Sequence, residues 1–201
     1  MASPARLHVV PRVVPRAPLD DAALVAEARA GRAWAEQRLY ERHVQAVART
    51  VATLLGRMQD AEDVVQDTFL EALSNLAALE NPAAFRGWVL RIAVHKCHRR
   101  FRRRKLLRAL GLDRGADDAT LAALCSPGAS AEQHAELGRL DDVLASLPER
   151  ERTSWLLRHV HGHELSDVAR LTGVSLATTK RVLDRAQRRV GDHAQGGGQH
   201  G

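Results

Sequence analysis

Histidine is the residue type that first suggests chemistry in this chain. There are ten of them, and two groups stand close together: His95-x-Cys97-His98 and His159-x-His161-x-His163. Imidazole and thiolate are good zinc ligands, but ligands must converge on one point. On a helix, positions two apart diverge by more than half a turn. Neither spacing therefore makes a helical metal site, and the second group converges only if residues 160–163 form an irregular turn. No Gly-x-x-x-x-Gly-Lys phosphate loop occurs, and no serine or cysteine stands in a nucleophile motif. The expectation is a chain without catalytic residues, metal or cofactor.

What remains is charge. Between Glu80 and Asp113 there is no acidic residue, while Arg86, Arg91, Lys96, Arg99, Arg100, Arg102, Arg103, Arg104, Lys105 and Arg108 fall inside that gap. A field of one sign this dense calls for a polyanion. The formal net charge of +6 and a pI near 10.3 point the same way, to nucleic acid or an anionic surface.

The elements that must position these charges read as helices. Residues 60–76 gather Ala61, Val65, Phe69, Ala72, Leu73 and Leu76 on one side. The other side carries Asp63, Gln66, Asp67 and Leu70. A leucine among carboxylates suits a docking face, although an ordinary exposed leucine on a helix whose acids favour its own N-terminal dipole fits the pattern as well. Asn81 then caps a second helix with Pro82 at its first position, burying Phe85, Trp88, Val89, Ile92 and Ala93. The apolar stripe is expected to stop after Ala93, leaving Arg91, His98, Phe101, Arg102 and Lys105 on the side away from the core. Basic residues with an interleaved aromatic suit phosphate contact and base stacking; a solvated basic helix end is the alternative.

Upstream, residues 20–31 read as a short helix with Leu24, Val25 and Ala28 inward. Residues 33–55 form a longer one on Trp34, Leu39, Tyr40, Val44, Val47, Val51, Leu54 and Leu55, stopped by Gly56. Residues 1–18 hold three arginines, four prolines and no acid, a composition that predicts a disordered basic tail without a secretory apolar segment. Residues 106–129, with Gly111, Gly115 and Ser126-Pro127-Gly128, read as a linker.

Downstream, Ser130 and Gln133 form a capping box for a helix with Leu137, Leu140, Val143 and Leu144 inward. Pro148 opens another, with Trp155, Leu156 and Val160 as its stripe. From Glu164 to Ser175 the pattern is that of a helix-turn-helix: small Ala169 at the crossing, Gly173 in the turn, Val174 as plug and Ser175 as the next cap. The last helix is expected to bury Leu176, Thr179, Leu183, Ala186 and Val190. Thr178, Lys180, Arg181, Arg185 and Arg188 then stay outside, as a recognition helix needs.

Two stretches resemble a known family. Asp60-Ala61-Glu62-Asp63-Val64-Val65-Gln66-Asp67-Thr68-Phe69-Leu70, followed by Phe85-Arg86-Gly87-Trp88-Val89-Leu90-Arg91-Ile92-Ala93, resembles the promoter-melting domain of bacterial sigma factors of the extracytoplasmic-function class. Ser146-Leu147-Pro148-Glu149-Arg150-Glu151-Arg152, with Thr178-Thr179-Lys180-Arg181-Val182-Leu183-Asp184-Arg185-Ala186, is similar to the second domain of that class. The resemblance implies that Asp63, Gln66, Asp67 and Leu70 face the clamp of core RNA polymerase. It implies that Asn81, Arg91, His98, Phe101, Arg102 and Lys105 meet the unwound minus-ten element, with a captured base at residues 77–84. Thr178, Lys180, Arg181, Arg185 and Arg188 would read the minus-thirty-five element. Four positions depart from the family habit: His95 for Asn, Arg99 for Asp, Val182 for Arg, and Glu164 for a Ser cap.

The expected protein is all-α, with two small helical domains joined by a flexible linker: tail 1–19, melting and polymerase-binding domain 20–105, linker 106–129, helix-turn-helix domain 130–191, flexible end 192–201. Its expected partners are core RNA polymerase and promoter DNA, an anti-sigma protein being a further partner that the class implies. No stretch is long and apolar enough to span a bilayer. Two cysteines without a paired motif fit a reducing cytoplasm. A stand-alone helix-turn-helix regulator is the leading rival, and a metal-dependent sensor or enzyme using the histidine clusters is the third reading.

Overall fold

The computed structural model describes residues 19–56, 58–110 and 130–196, excluding the side chains of residues 58–60, 105, 108, 109 and 193–196. The expected basic tail, most of the linker and the last residues of the flexible end lie outside the described residues. What is described is helical, without strands.

Helix α1 (Asp21–Arg29) starts where Asp20 accepts from the Ala23 N–H at 2.8 Å, and it buries Leu24, Val25 and Ala28. Asp21 pins it to α2 (Ala33–Leu55), its carboxylate 2.8 Å from Arg42 and 2.9 Å from His43. Gly56 ends α2 at φ 74, a left-handed conformation that a residue with a Cβ resists. Helix α3 (Met58–Ser74) runs into a 3-10 turn, Leu76–Ala78. A second such turn, Pro82–Ala84, is capped by Asn81, which accepts from the Ala83 N–H at 3.1 Å. Helix α4 (Phe85–Ala109) therefore begins three residues after the expected Pro82, and it continues four residues into the expected linker.

After the undescribed segment, the Ser130–Gln133 capping box opens α5 (Ala131–Ser146) as expected. Then follow α6 (Glu149–His159), α7 (Leu165–Thr172) and α8 (Leu176–Gly196). Gly173 makes the sharp turn between α7 and α8 at φ 71. Ser175 caps α8, accepting from the Thr178 N–H at 3.2 Å. Glu164, the departure at the start of α7, makes no side-chain cap and instead reaches Arg158 at 3.2 Å.

Several expectations about burial are corrected. Trp34 and Tyr40 are 43% and 41% exposed, because they lie at the margins of the α2 stripe; Ala35 and His43 are buried instead. Val160 and Leu176, at a helix end and a helix start, are exposed too. Conversely, the apolar stripe of α4 does not stop at Ala93: Val94 and Cys97 are fully buried. Helix α6 buries Glu151, Arg152, Thr153 and Ser154 along with Trp155, Leu156 and Leu157.

The cause of both is the same. The two helical units share one continuous hydrophobic core, running from Leu24 through Val94 and Cys97 to Leu156, Leu157 and Leu171. Helix α4 packs on α2 and α3 from one side and on α7 from the other. Helix α6 lies at the seam: His98 is 3.2 Å from the Thr153 hydroxyl, and the Arg152 guanidinium stands over the Phe101 ring at 5.5 Å. His95 lies against the Gly173 turn.

Burial disfavours charge on these side chains. It pushes His98 down to about 4, helped by His95, Arg102 and Arg150, and this outweighs the Glu149 carboxylate 3.7 Å away. His161 is likewise lowered to about 4, by burial and then by His163 and Arg49 of α2, and its Nε2 is buried without a hydrogen-bond partner. A histidine that ionises less readily folded than unfolded gives stability that is complete above its ordinary pKa and lost as pH falls toward the folded value. The thermal midpoint should therefore hold steady above pH 7 and fall between about pH 6.5 and 5. The His98→Gln, His161→Gln double variant should flatten that slope in differential scanning fluorimetry; a midpoint that rises on acidification contradicts it.

Candidate nucleic-acid interface

Three surfaces carry the residues that the sequence singles out. On α3, Asp63, Gln66, Asp67 and Leu70 are all exposed, Leu70 by 62%. The inner side of α3 buries Ala61, Val64, Val65, Thr68, Phe69 and Ala72, and it is this stripe, wider than expected by Val64 and Thr68, that fixes the outer face. Asp63 lies 3.8 Å from Arg100 of α4. Beside this face runs a groove of about 750 Å³ between α2 and α3, lined by apolar side chains including Val44, Val65, Phe69, Leu70 and Leu73. Tyr40 forms its rim, edge-on to Phe69 with ring centroids 4.8 Å apart. Sequence reasoning placed Tyr40 in the core and missed the groove; an aromatic at the edge of a helical stripe was the available signal.

On α4, Arg91 and Arg102 are exposed, whereas His98 and Phe101 are partly buried in the seam against α6. The Lys105 side chain lies outside the described residues. Asn81 is exposed at the loop before α4, its carboxamide oxygen engaged as the cap. Cys97 is buried, and burial raises its thiol to about 12, so it is inert as a nucleophile.

On α8, Lys180, Arg181, Arg185 and Arg188 are exposed and Thr178 is half-buried. Thr178 is tied into the cap, its hydroxyl 2.9 Å from that of Ser175 and 3.4 Å from Arg181. Arg185 donates to Glu151 of α6 at 2.9 Å, and Arg189 reaches the same carboxylate at 3.4 Å. Glu151 is a buried anion, so it needs these partners; nothing in the local residue pattern signals the pairing. Trp155 donates to Gln187 at 3.1 Å, a second tie between α6 and α8. Val182 is buried, which gives that departure a packing role. Among the described residues, no three His, Cys, Asp or Glu side chains converge as a metal site.

Residues 39–106 match the sigma-70 region 2 family and residues 137–190 match sigma-70 region 4. The chain is 32% identical over 135 residues to the ECF RNA polymerase sigma factor SigF of Caulobacter vibrioides, covering 65% of this chain and 69% of the relative. The chain belongs to the extracytoplasmic-function sigma factors. It is also 29% identical over 144 residues to the sigma factor SigV of Bacillus subtilis, covering 72% of this chain and 81% of SigV. The structure of CnrH in complex with the cytosolic domain of CnrY superposes with a TM-score of 0.61 at 25% identity, covering 88% of this chain and 97% of that one. The region 2 match removes the stand-alone regulator, which would have no use for α1 to α4.

In this sigma factor the Glu151 ion pairs separate two arginines of the α8 face. Arg185→Ala should lower the thermal midpoint by about 2–4 °C, equivalent to roughly 1 kcal/mol, since among the described residues Glu151 then keeps only Arg189. Arg181→Ala, which leaves the carboxylate paired, should leave the midpoint unchanged. Thermal melts of the two variants side by side check this.

Proposed function

We propose that Asp63, Gln66, Asp67 and Leu70, with the adjoining apolar groove, are the surface by which this sigma factor docks on the clamp of core RNA polymerase. The observation that carries the proposal is the pairing of exposed carboxylates and an exposed leucine with an apolar groove on one side of α3. A protein partner that brings basic residues and an apolar side chain would satisfy both at once.

Asn81, Arg91, His98, Phe101, Arg102 and Lys105 are assigned to melted minus-ten DNA, and residues 77–84 to a captured base. Thr178, Lys180, Arg181, Arg185 and Arg188 are assigned to the minus-thirty-five duplex, the N-terminal side chains of α8 meeting base edges and the later arginines meeting phosphates. His98 and Phe101 lie against α6, so using them on DNA requires the two helical units to part. Strand opening draws on binding: unstacked bases are held on protein instead of on one another, and the chain itself hydrolyses nothing. It works in the cytoplasm, where the polymerase supplies the catalysis. A separate anti-sigma protein is the regulatory partner that membership of the class suggests.

The test is binding to sigma-free core polymerase by gel filtration. The unaltered chain should co-elute with core, and the Asp63→Arg, Asp67→Arg variant should not, while keeping its helical circular dichroism. Co-elution of the variant at the level of the unaltered chain would remove α3 as the docking face.

A further inference from the structure

The loop between α3 and α4 has an unusual division of labour. Leu76 and Leu79 are buried pegs, and outward stand Ala77, Ala78, Glu80, Asn81, Ala83 and Ala84, four of them alanines. Beside Glu80 and Asn81, this run of alanines offers a base only shape and backbone groups. What such a loop recognises therefore depends on where its backbone is held.

One side chain from elsewhere holds it. Arg29, in the last turn of α1, donates from Nε to the Leu76 carbonyl at 3.1 Å and from Nη2 to the same carbonyl at 2.8 Å; Nη2 also donates to the Leu79 carbonyl. The Leu76 carbonyl opens the 3-10 turn and also accepts from the Leu79 N–H at 3.2 Å, and the Leu79 carbonyl stands just past the turn, so the guanidinium spans the turn from its first residue to its cap. The planar guanidinium forks across both, which a single ammonium does not reproduce. Helix α1 is itself fixed to α2 through Asp21, so the loop is referenced to the rigid part of the unit. Arg29 lies ahead of the segment that matches region 2, which begins at residue 39.

We propose that Arg29 is a positioning residue for minus-ten recognition: its fork between the Leu76 and Leu79 carbonyls sets the loop's backbone and thereby the base that the loop accepts. The role rests on the reading that residues 77–84 capture that base.

The experiment uses the full chain with core polymerase on promoter fragments randomised through the minus-ten element, sequencing the DNA retained. Arg29→Gln, Arg29→Lys and the loop variant Ala83→Val are compared with the unaltered chain. If the proposal holds, Arg29→Gln lowers the base preference at the captured position by about tenfold. Arg29→Lys restores part of that preference, Ala83→Val alters it, and polymerase co-elution is unchanged in all three. A brace needed only for folding would instead reduce polymerase binding and base preference together, which overturns the proposal; should Arg29→Gln fail to fold, the lysine variant carries the same comparison. If Ala83→Val alters the preference while neither Arg29 variant does, Arg29 is not a positioning residue and the loop reading stands. If none of the three alters it, the loop reading fails and the proposal falls with it.

Discussion

Helix α4 is gripped from two sides. Phe85, Val89, Leu90 and Ala93 fill the core built with α1, α2 and α3, and Val94 and Cys97 continue the same buried surface toward α6 and α7. Burying each of these apolar side chains is worth on the order of 1–3 kcal/mol, so the helix cannot leave its place without opening the core that the two units share. The dense positive charge of its second half is tolerated because α3 supplies counter-charges: Glu71 lies 2.7 Å from Lys96 and Asp63 lies 3.8 Å from Arg100. The acidic helix and the basic helix thus hold each other in register, and their outer faces are left for partners of opposite sign.

The arrangement has a consequence for function. Helix α6 is polar by sequence yet buried nearly all round, because it serves its own helix-turn-helix unit on one side and the seam with α4 on the other. His98 and Phe101 belong to that seam and also to the face assigned to melted DNA. On the proposed assignment one surface would serve two uses, closing the molecule on itself and holding a single strand. At the seam the continuous apolar core is flanked by polar contacts of about 1 kcal/mol each, the His98–Thr153 hydrogen bond and the Arg152–Phe101 cation-π pair. Freeing His98 and Phe101 for DNA would therefore give up part of that shared apolar core as well as these contacts.

Much of this was legible in the sequence, where local chemistry decides the outcome. Asn81, Ser130 and Ser175 announce caps and Gly56 and Gly173 announce stops, because the geometry there depends on one side chain or its absence. The exposed quartet on α3 followed from helical period alone. Periodicity failed where a helix has neighbours on more than one side: it ended the α4 stripe at Ala93 and gave α6 a single apolar face. It also placed Trp34, Tyr40, Val160 and Leu176 inside, since a window of residues does not reveal which edge of a stripe the neighbouring helix reaches. Pairings that depend on the fold left no local trace. Arg29 meets backbone carbonyls, which look alike in every sequence, and Arg185 meets a glutamate 34 residues away that reads as an ordinary first-turn acid.

Transcript mapping asks whether this chain directs polymerase to promoters by reading two elements at once. Sigma-free core polymerase would be supplied with the purified chain and a pool of genomic fragments, and the 5′ ends of the RNA sequenced. Discrete start sites should lie downstream of one shared pair of motifs at fixed spacing and be absent with core alone. Starts scattered as they are for core alone, from a chain shown to be folded and bound to polymerase, would contradict that expectation.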